Sequence, residues 1–169
     1  MFEDLKIIYY PDPRLKRMSA RVEQFDDRLK ALAQRMLQLM RESRGVGLAA
    51  PQVGENLRLF VMNHSGNPDD DRVYANPILS EAEEGCLSLP EVNVRIVRDK
   101  TIRIDAKDLE GQPFSQTATG YLARIWQHEI DHLNGILLTD RMGPVQKMIN
   151  RKVLRELEED YAKAHAKKK

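Results

Sequence analysis

One segment, residues 120–134, limits the fold of this chain more than any other, because it combines a helical apolar repeat with three ionisable side chains. At about 100° per residue, His128, Glu129 and His132 fall on the arc that carries most of the apolar residues. The apolar residues of this inward arc are Tyr121, Leu122, Ile125, Trp126 and Leu133. The opposite arc is mainly polar and comprises Ala123, Arg124, Gln127, Ile130, Asp131 and Asn134. Burying three ionisable groups without partners is costly. The segment therefore predicts a central helix whose inward polar groups share a ligand.

The order of residues at 127–132, Gln-His-Glu-Ile-Asp-His, indicates what that ligand is. His128 and His132 are one helical turn apart, so their rings share a face and can hold one metal ion. Glu129 lies beside them and can reach a water molecule at the metal. This HExxH arrangement provides two ligands and a general base. A solvated polar helix surface is the alternative, and the apolar periodicity around the motif argues against it.

A catalytic site of this kind normally has three protein ligands and leaves one position for water. The single cysteine, Cys86, is the best candidate, since a thiolate is a strong donor for zinc or ferrous iron. A lone cysteine is more often a small buried apolar residue, but the inward HExxH motif lacks any other third ligand. His64 adjoins a polar loop and His165 lies near the C-terminus, so both are expected to be solvated.

The rest of the chain predicts an α+β fold, with antiparallel β-sheets packed around the central helix and a further helix at the C-terminus. Asp26 and Asp27 can cap a helix that runs to about Glu42, and the last helix begins near Pro144. Between them lie a glycine-rich loop at 45–54, a strand at 57–62 and an exposed loop at 63–71. Short strand-like stretches follow at 84–89, 92–97, 101–106 and 113–117, and the strand-forming region from Val73 onwards is expected to be interrupted at Pro77, Pro90 and Glu110-Gly111. Thr119 and Gly135 bound the central helix.

Length and charge exclude several classes of protein. A chain of 169 residues fits one domain, 1–169. A net charge of +1 argues against nucleic acid as the main partner, and no apolar run approaches the roughly 20 residues needed to span a membrane. The first ten residues lack the basic flank and apolar core of a signal peptide. We expect a cytoplasmic protein, such as one of the bacterial cytosol; an organellar protein without its transit peptide would look the same.

A third feature, residues 45–52, reads Gly-Val-Gly-Leu-Ala-Ala-Pro-Gln. It lacks the Lys-Ser/Thr ending of a phosphate-binding loop and the third spaced glycine of a dinucleotide site. Together with Glu-Gly-Cys-Leu-Ser at 84–88 and the motif at 127–135, it resembles the peptide deformylase family. All three motifs of that family are matched in order and spacing, and the resemblance covers nearly the whole chain.

The resemblance implies a hydrolase that removes the N-formyl group from the N-terminal formyl-methionine of newly synthesised polypeptides and releases formate. It makes Cys86, His128 and His132 the metal ligands, and Glu129 the general base and then the general acid. The substrate would be an N-formyl-methionyl peptide. The fold it implies, antiparallel sheets around a central helix with the histidines, agrees with the pattern described above.

Further roles follow from the resemblance alone. Gln52 would donate its side-chain amide to the developing oxyanion, and the backbone N–H of Leu87 would be a second donor. The residues beside the substrate would be Val46, Gly47 and Leu87. Many family members have an arginine shortly after the cysteine motif that helps to hold the peptide. This chain has Asn93 there, with Arg95 and Arg98 nearby, which leaves the anchoring of the peptide open.

Several alternatives remain open from the sequence. A Cys-His-His site accepts one divalent ion, either Fe²⁺, with which the family is generally associated, or Zn²⁺, Ni²⁺ or Co²⁺. The competing functions are an HExxH endopeptidase, a structural metal domain, and a relative that acts on another acylated amine. The basic tail, Lys167 to Lys169, is either a solvated helix end or a transient contact with the ribosome, where RNA is anionic.

Overall fold

The structure is a computed structural model that describes residues 2–81 and 101–166. Cys86, Leu87 and the strands predicted at 84–89 and 92–97 lie outside these ranges. The described helices are α1 (Asp27–Glu42), α2 (Gly120–Leu133), α3 (Leu138–Arg141) and α4 (Pro144–Ala166). The strands are β1 (Gly47–Ala49), β2 (Leu59–Met62), β3 (Arg72–Glu81), β4 (Ile102–Lys107) and β5 (Pro113–Ala118). The predicted α+β class is confirmed.

The five strands form one antiparallel sheet in the order β1-β2-β3-β4-β5. All four residues of β2 are buried, although successive side chains of a strand point to opposite faces. Leu59 and Val61 belong to a core cluster with α1, whereas Phe60 and Met62 belong to a second cluster with α2. The sheet is therefore covered on both faces at this point, by α1 on one side and by α2 on the other.

The predicted start of α1 is confirmed at the level of individual atoms. The carboxylate of Asp26 accepts a hydrogen bond from the backbone N–H of Leu29 at 2.9 Å, which satisfies one of the unpaired donors of the first turn. The helix buries an apolar stripe at the expected period against the sheet. Its buried residues are Leu29, Leu32, Ala33, Met36, Leu39 and Met40. This packing fixes β1 and β2 on a rigid support.

Two predictions about strands were wrong. Residues 47–49, which we predicted to be part of a loop, form the edge strand β1, with Gly47 opposite Met62. The second concerns β3, which continues through Pro77 where the sequence predicted a break. The register shifts between Ala75 and Ile78, and Asn76 has a φ of 52°. The strand survives because proline is tolerated at such a bulge, where no ladder hydrogen bond is required of it.

The burial of α2 also differs from the prediction. The mainly polar arc was expected to face outwards, but Ala123 and Ile130 are buried at 2% and 8% exposure. Conversely, Tyr121 and His128 are exposed. The buried arc is therefore rotated relative to the arc predicted from the apolar residues. The two histidines consequently lie at the edge of that arc, where the core meets the surface.

The helix α4 runs for 23 residues from Pro144, as predicted, but none of its residues is buried. Its tertiary contacts include a hydrogen bond from the Tyr10 hydroxyl to the Glu158 carboxylate. Among the helices that the structure describes, none is both long and apolar enough to cross a lipid bilayer.

Candidate metal centre

The site lies where α2 crosses β1. Glu129 and His132 are on the buried side of α2, and His128 lies one turn before His132 on the exposed edge. Two core contacts hold this part of the helix. Trp126 is fully buried near Tyr74, with ring centroids 6.0 Å apart, and Leu133 is fully buried in the same cluster. The ionisable side chains therefore project from a backbone that packing holds in place.

The two histidine rings have the geometry that two ligands of one metal ion require. Their Nε2 atoms are 3.1 Å apart, and the ring planes are nearly perpendicular, at 87°. Two nitrogens bound to one tetrahedral zinc at about 2.0–2.1 Å would be separated by roughly 3.3 Å. One hydrogen bond between the rings would also fit this distance. In both arrangements the two Nε2 atoms lie side by side, as the helical spacing predicted, and only a shared metal ion would give them a common third partner.

Glu129 is 3% exposed, and its carboxylate lies directly over the backbone of Gly47. A Cβ atom at position 47 would be 2.3 Å from Oε1 of Glu129 and 2.8 Å from its Cδ. Only glycine therefore allows β1 to approach the carboxylate so closely. Within residues 2–81 and 101–166, Oε2 of Glu129 and Nδ1 of His132 have no hydrogen-bond partner.

Burial sets the charge states of these groups. Desolvation raises the pKa of Glu129 to about 8, because the ionised form loses its hydration. Desolvation, together with the neighbouring His128, lowers the pKa of His132 to about 4. His132 is thus neutral near pH 7, which is the form that binds a metal. A carboxyl with one unsatisfied oxygen and a neutral imidazole beside it fit a bound cation, which would favour the ionised carboxylate.

Gln52 lies in the 3-10 turn Ala50–Val53, immediately after β1. Its Oε1 atom accepts a hydrogen bond from the backbone N–H of Ala49 at 2.8 Å. This bond fixes the rotation of the amide and distinguishes its oxygen end from its nitrogen end. Val46 precedes β1, packs against the α2 cluster and accepts a hydrogen bond from the N–H of Asn63 at 3.0 Å. The turn and the edge strand therefore place the first motif beside α2.

The structure brings four of the predicted site residues together. His128 and His132 contact each other on α2, and the carboxylate of Glu129, on the same helix, lies against Gly47. Cys86 and Leu87 lie outside the described residues. In the parts of the chain that are described, no group of three or more His, Cys, Asp and Glu side chains could hold a metal ion. The described part of the site thus comprises two histidines predicted as ligands and an acid, and all three ligand assignments, including Cys86, stay predictions.

Sequence reasoning missed one role. It placed Gly47 beside the substrate, but it did not predict that this residue makes room for Glu129. The available signal was a glycine between two apolar residues, Val46 and Leu48, in a segment now seen to be a strand. A glycine inside a strand often marks a close approach of another group.

The chain is similar to known proteins along most of its length. Residues 4–148 match the family described as polypeptide deformylase. A peptide deformylase from Thermotoga sp. (strain RQ2) is 40% identical over 156 residues, which cover 90% of this chain and 95% of the relative. The chloroplastic/mitochondrial peptide deformylase 1B of Arabidopsis thaliana is 40% identical over 166 residues, which cover 93% of this chain and 61% of that longer relative.

Solved structures give the same result. The crystal structure of peptide deformylase from Plasmodium falciparum superposes with a TM-score of 0.79 and 38% sequence identity. The match covers 95% of this chain and 99% of the Plasmodium chain.

Proposed function

We propose the following division of catalytic roles for a chain that belongs to the polypeptide deformylase family and is therefore a metal-dependent hydrolase that removes the formyl group from nascent peptides. Residues 1–169 form one catalytic domain. Cys86, His128 and His132 hold the metal, and Glu129 transfers protons. The observation that carries the proposal is the convergence of the two histidine Nε2 atoms, 3.1 Å apart, beside the buried carboxylate of Glu129.

The metal centre uses the neutral imidazole of His132 and its neighbour His128, and the thiolate of Cys86 completes the three ligands. When bound, a divalent ion there supplies the Lewis acidity that makes water a nucleophile near neutral pH. A thiolate with two imidazoles is a donor set suited to Fe²⁺, which we propose as the native ion, and to Zn²⁺, Ni²⁺ or Co²⁺.

Glu129 accepts a proton from the attacking water, and the formyl carbon becomes tetrahedral. Negative charge builds on the formyl oxygen, where the side-chain amide of Gln52 and the backbone N–H of Leu87 donate hydrogen bonds. One such donor is commonly worth about 3 kcal/mol. The backbone N–H of Ala49 donates a hydrogen bond to Oε1 of Gln52, which supports this role. Because the oxygen end of the amide is held at Ala49, the nitrogen end points away from it and can donate to the substrate. Glu129 then gives its proton to the departing amine, and formate leaves.

The formyl-methionyl end of the substrate lies along the edge strand, with Val46, Gly47 and Leu87 beside it. An exposed edge strand can pair with an extended peptide through backbone hydrogen bonds. β1 is such an edge, because it is the first strand in the order of the described sheet. Asn93, Arg95 and Arg98 stay candidates for holding the rest of the peptide.

The test of these roles is the variant Glu129→Gln, which keeps the size of the side chain and removes its basicity. Metal content should be unchanged, and turnover of a formyl-methionyl peptide should fall by at least roughly 10²–10⁴-fold. Near-normal turnover would remove Glu129 from the mechanism. Loss of metal together with turnover would instead make Glu129 a ligand.

A separate experiment identifies the native ion. The protein is purified without oxygen, and its metal content and its activity on a formyl-methionyl peptide are measured in the same sample.

The C-terminal tail, Lys167 to Lys169, would add a weak electrostatic attraction to ribosomal RNA, which would bring the enzyme to its substrate. Deleting these lysines should leave peptide turnover unchanged and reduce ribosome association at low salt.

Such an enzyme acts in the bacterial cytosol or in an organelle that makes formylated proteins. The Arabidopsis relative, whose name includes chloroplastic/mitochondrial, supports the organellar alternative.

A further inference from the structure

Asn63 is a buried hydrogen-bonding centre at the end of β2. Its amide nitrogen donates to the backbone carbonyl of Asn67 and to Oδ1 of Asp71, at 2.7 Å each. Its amide oxygen accepts from the backbone N–H of Gly66 at 2.8 Å and from the hydroxyl of Ser65 at 3.4 Å. The residue is 6% exposed, and both donor and both acceptor positions of its amide are therefore occupied.

An ion pair extends this network to the end of α1. The second carboxylate oxygen of Asp71, Oδ2, binds the guanidinium of Arg41, which lies in the last turn of α1. The helix then ends in a Schellman motif, since the N–H of Gly45 donates to a carbonyl five residues earlier at 2.9 Å and Arg44 has a φ of 55°. The connection from α1 to β1 is thus fixed by its own backbone and tied to the loop after β2 through Arg41, Asp71 and Asn63, which we call the Asn63 network.

The backbone of Asn63 acts directly on the start of β1. Its N–H donates to the carbonyl of Val46 at 3.0 Å. The Val46 carbonyl and the Gly47 N–H belong to one planar trans peptide group, so they point in opposite directions. Because the carbonyl points towards β2, the Gly47 N–H points to the outer side of β1, where an extended peptide can pair with the described sheet.

We propose that Asn63 is a positioning residue for the substrate peptide: its buried network fixes the peptide group between Val46 and Gly47, so that the Gly47 N–H donates to a backbone carbonyl of the substrate. This inference rests on the proposed function, in which the formyl-methionyl peptide lies along β1. Asn63 acts through the strand and not by contact with the substrate. A donor that is already held in one orientation loses little freedom on binding, which favours association.

A purely structural role of Asn63 predicts a different result. A centre that only closes the loop 63–71 would contribute to Tm and leave the kinetic constants of the folded enzyme unchanged. The positioning role acts on substrate binding and therefore on KM. The value of kcat should change little, because Gly47 stays paired with Met62 and the Glu129 carboxylate keeps its place over it.

The first test compares Asn63→Ala, which removes the side-chain network and keeps the backbone N–H, with Asn67→Ala in the same loop. The side chain of Asn67 accepts from the N–H of Asp69, at the exposed turn that follows it. With a formyl-methionyl tripeptide, and with folding checked by circular dichroism, KM should rise about tenfold in Asn63→Ala while kcat stays near the wild-type value. Asn67→Ala should change neither constant. An unchanged KM in Asn63→Ala, or an equal rise in both variants, would overturn the proposal.

A second pair of variants tests the outer end of the network without changing a buried residue. Arg41→Gln breaks the ion pair with Asp71, and Arg28→Gln removes the same charge from the first turn of α1. Because an exposed ion pair contributes little, KM should rise only about threefold in Arg41→Gln, and it should not rise in Arg28→Gln. If Asn63→Ala does not fold, this pair decides, and equal KM values for the two arginine variants would reject the network as a positioning device.

Substrate length separates this inference from the proposed function. Formyl-methionine amide can place only one residue along β1, whereas the tripeptide extends further. The wild-type enzyme should therefore have a lower KM for the tripeptide, and this preference should be largely lost in Asn63→Ala. A wild type without any preference would remove the peptide from β1 and overturn both proposals. A preference that persists unchanged in Asn63→Ala would leave the peptide on β1 and overturn the role of Asn63 alone.

Discussion

Replacing Gly47 by alanine places a methyl group where the Glu129 carboxylate lies. The new Cβ would be 2.3 Å from Oε1, whereas ordinary van der Waals contact begins at 3.4 Å. The carboxylate or the strand must therefore move by about 1 Å. Glu129 is 3% exposed, so it has little free space into which to rotate. A misplacement of this size at a reacting group can cost about 100-fold in rate, which corresponds to roughly 2.7 kcal/mol of transition-state stabilisation.

The assay compares Gly47→Ala with Gly45→Ala, a matched control in the same segment. A Cβ at position 45 would meet its nearest atoms at 3.5 Å, which is an ordinary contact. We expect kcat for a formyl-methionyl peptide to fall about 100-fold in Gly47→Ala and to stay near the wild-type value in Gly45→Ala. Metal content should be equal in all three proteins, because neither glycine is a proposed ligand.

Two results separate this role from a simple contact with substrate. If Gly47 only lies beside the peptide, alanine should raise KM and leave kcat nearly unchanged. If it positions Glu129, the loss should largely disappear when Gly47→Ala is added to Glu129→Gln, because the proton shuttle is already absent. A kcat within threefold of wild type for Gly47→Ala, or full additivity in the double variant, would refute the reasoning.

Three further predictions concern Cys86, Asp26 and Asp12. Cys86→Ala should lose bound metal and nearly all activity if Cys86 is a ligand; normal metal content by elemental analysis would contradict this assignment. Asp26→Ala should lower the free energy of unfolding by about 1 kcal/mol, measured by urea denaturation, because the N–H of Leu29 loses its acceptor. The side-chain hydrogen bond from Arg14 lowers the pKa of Asp12 below its usual value. Asp12 therefore contributes stability above the pKa of the unfolded chain, about 3.9, which is lost as pH falls through the lower folded pKa. In Asp12→Asn, Tm should accordingly depend less steeply on pH in this acid range.

The ends of the helices could be predicted because they depend on local chemistry. The carboxylate of Asp26 satisfies a donor three residues away, and Gly135 adopts a φ of 71° just beyond the last residues of α2. Neither feature requires knowledge of distant residues. The histidine pair belongs to the same class, because a spacing of four residues on a helix brings two rings together whatever surrounds them.

Features that depend on neighbours distant in sequence could not be predicted. The strand β3 passes through Pro77 because Asn76 binds the backbone of Val22, with Val22 N–H to Oδ1 at 2.8 Å and Nδ2 to the Val22 carbonyl at 2.9 Å. Those partners are 54 residues apart. Without them, a proline in the middle of a strand indicates a break. The order of the residues around Pro77 gives no sign that Val22 supplies the missing support.

The sequence by itself determined the family chemistry of this protein: two histidines one turn apart, an acid beside one of them and three motifs in the order of the deformylases. These are properties of residue type and spacing, which act within one helix or one turn. Only the tertiary structure decided that the Glu129 carboxylate rests on the bare backbone of Gly47, 82 residues earlier, and that the apolar side of α4 faces away from the core. Both depend on which surfaces meet, and a pattern along one segment contains no information about the surface that will lie opposite it.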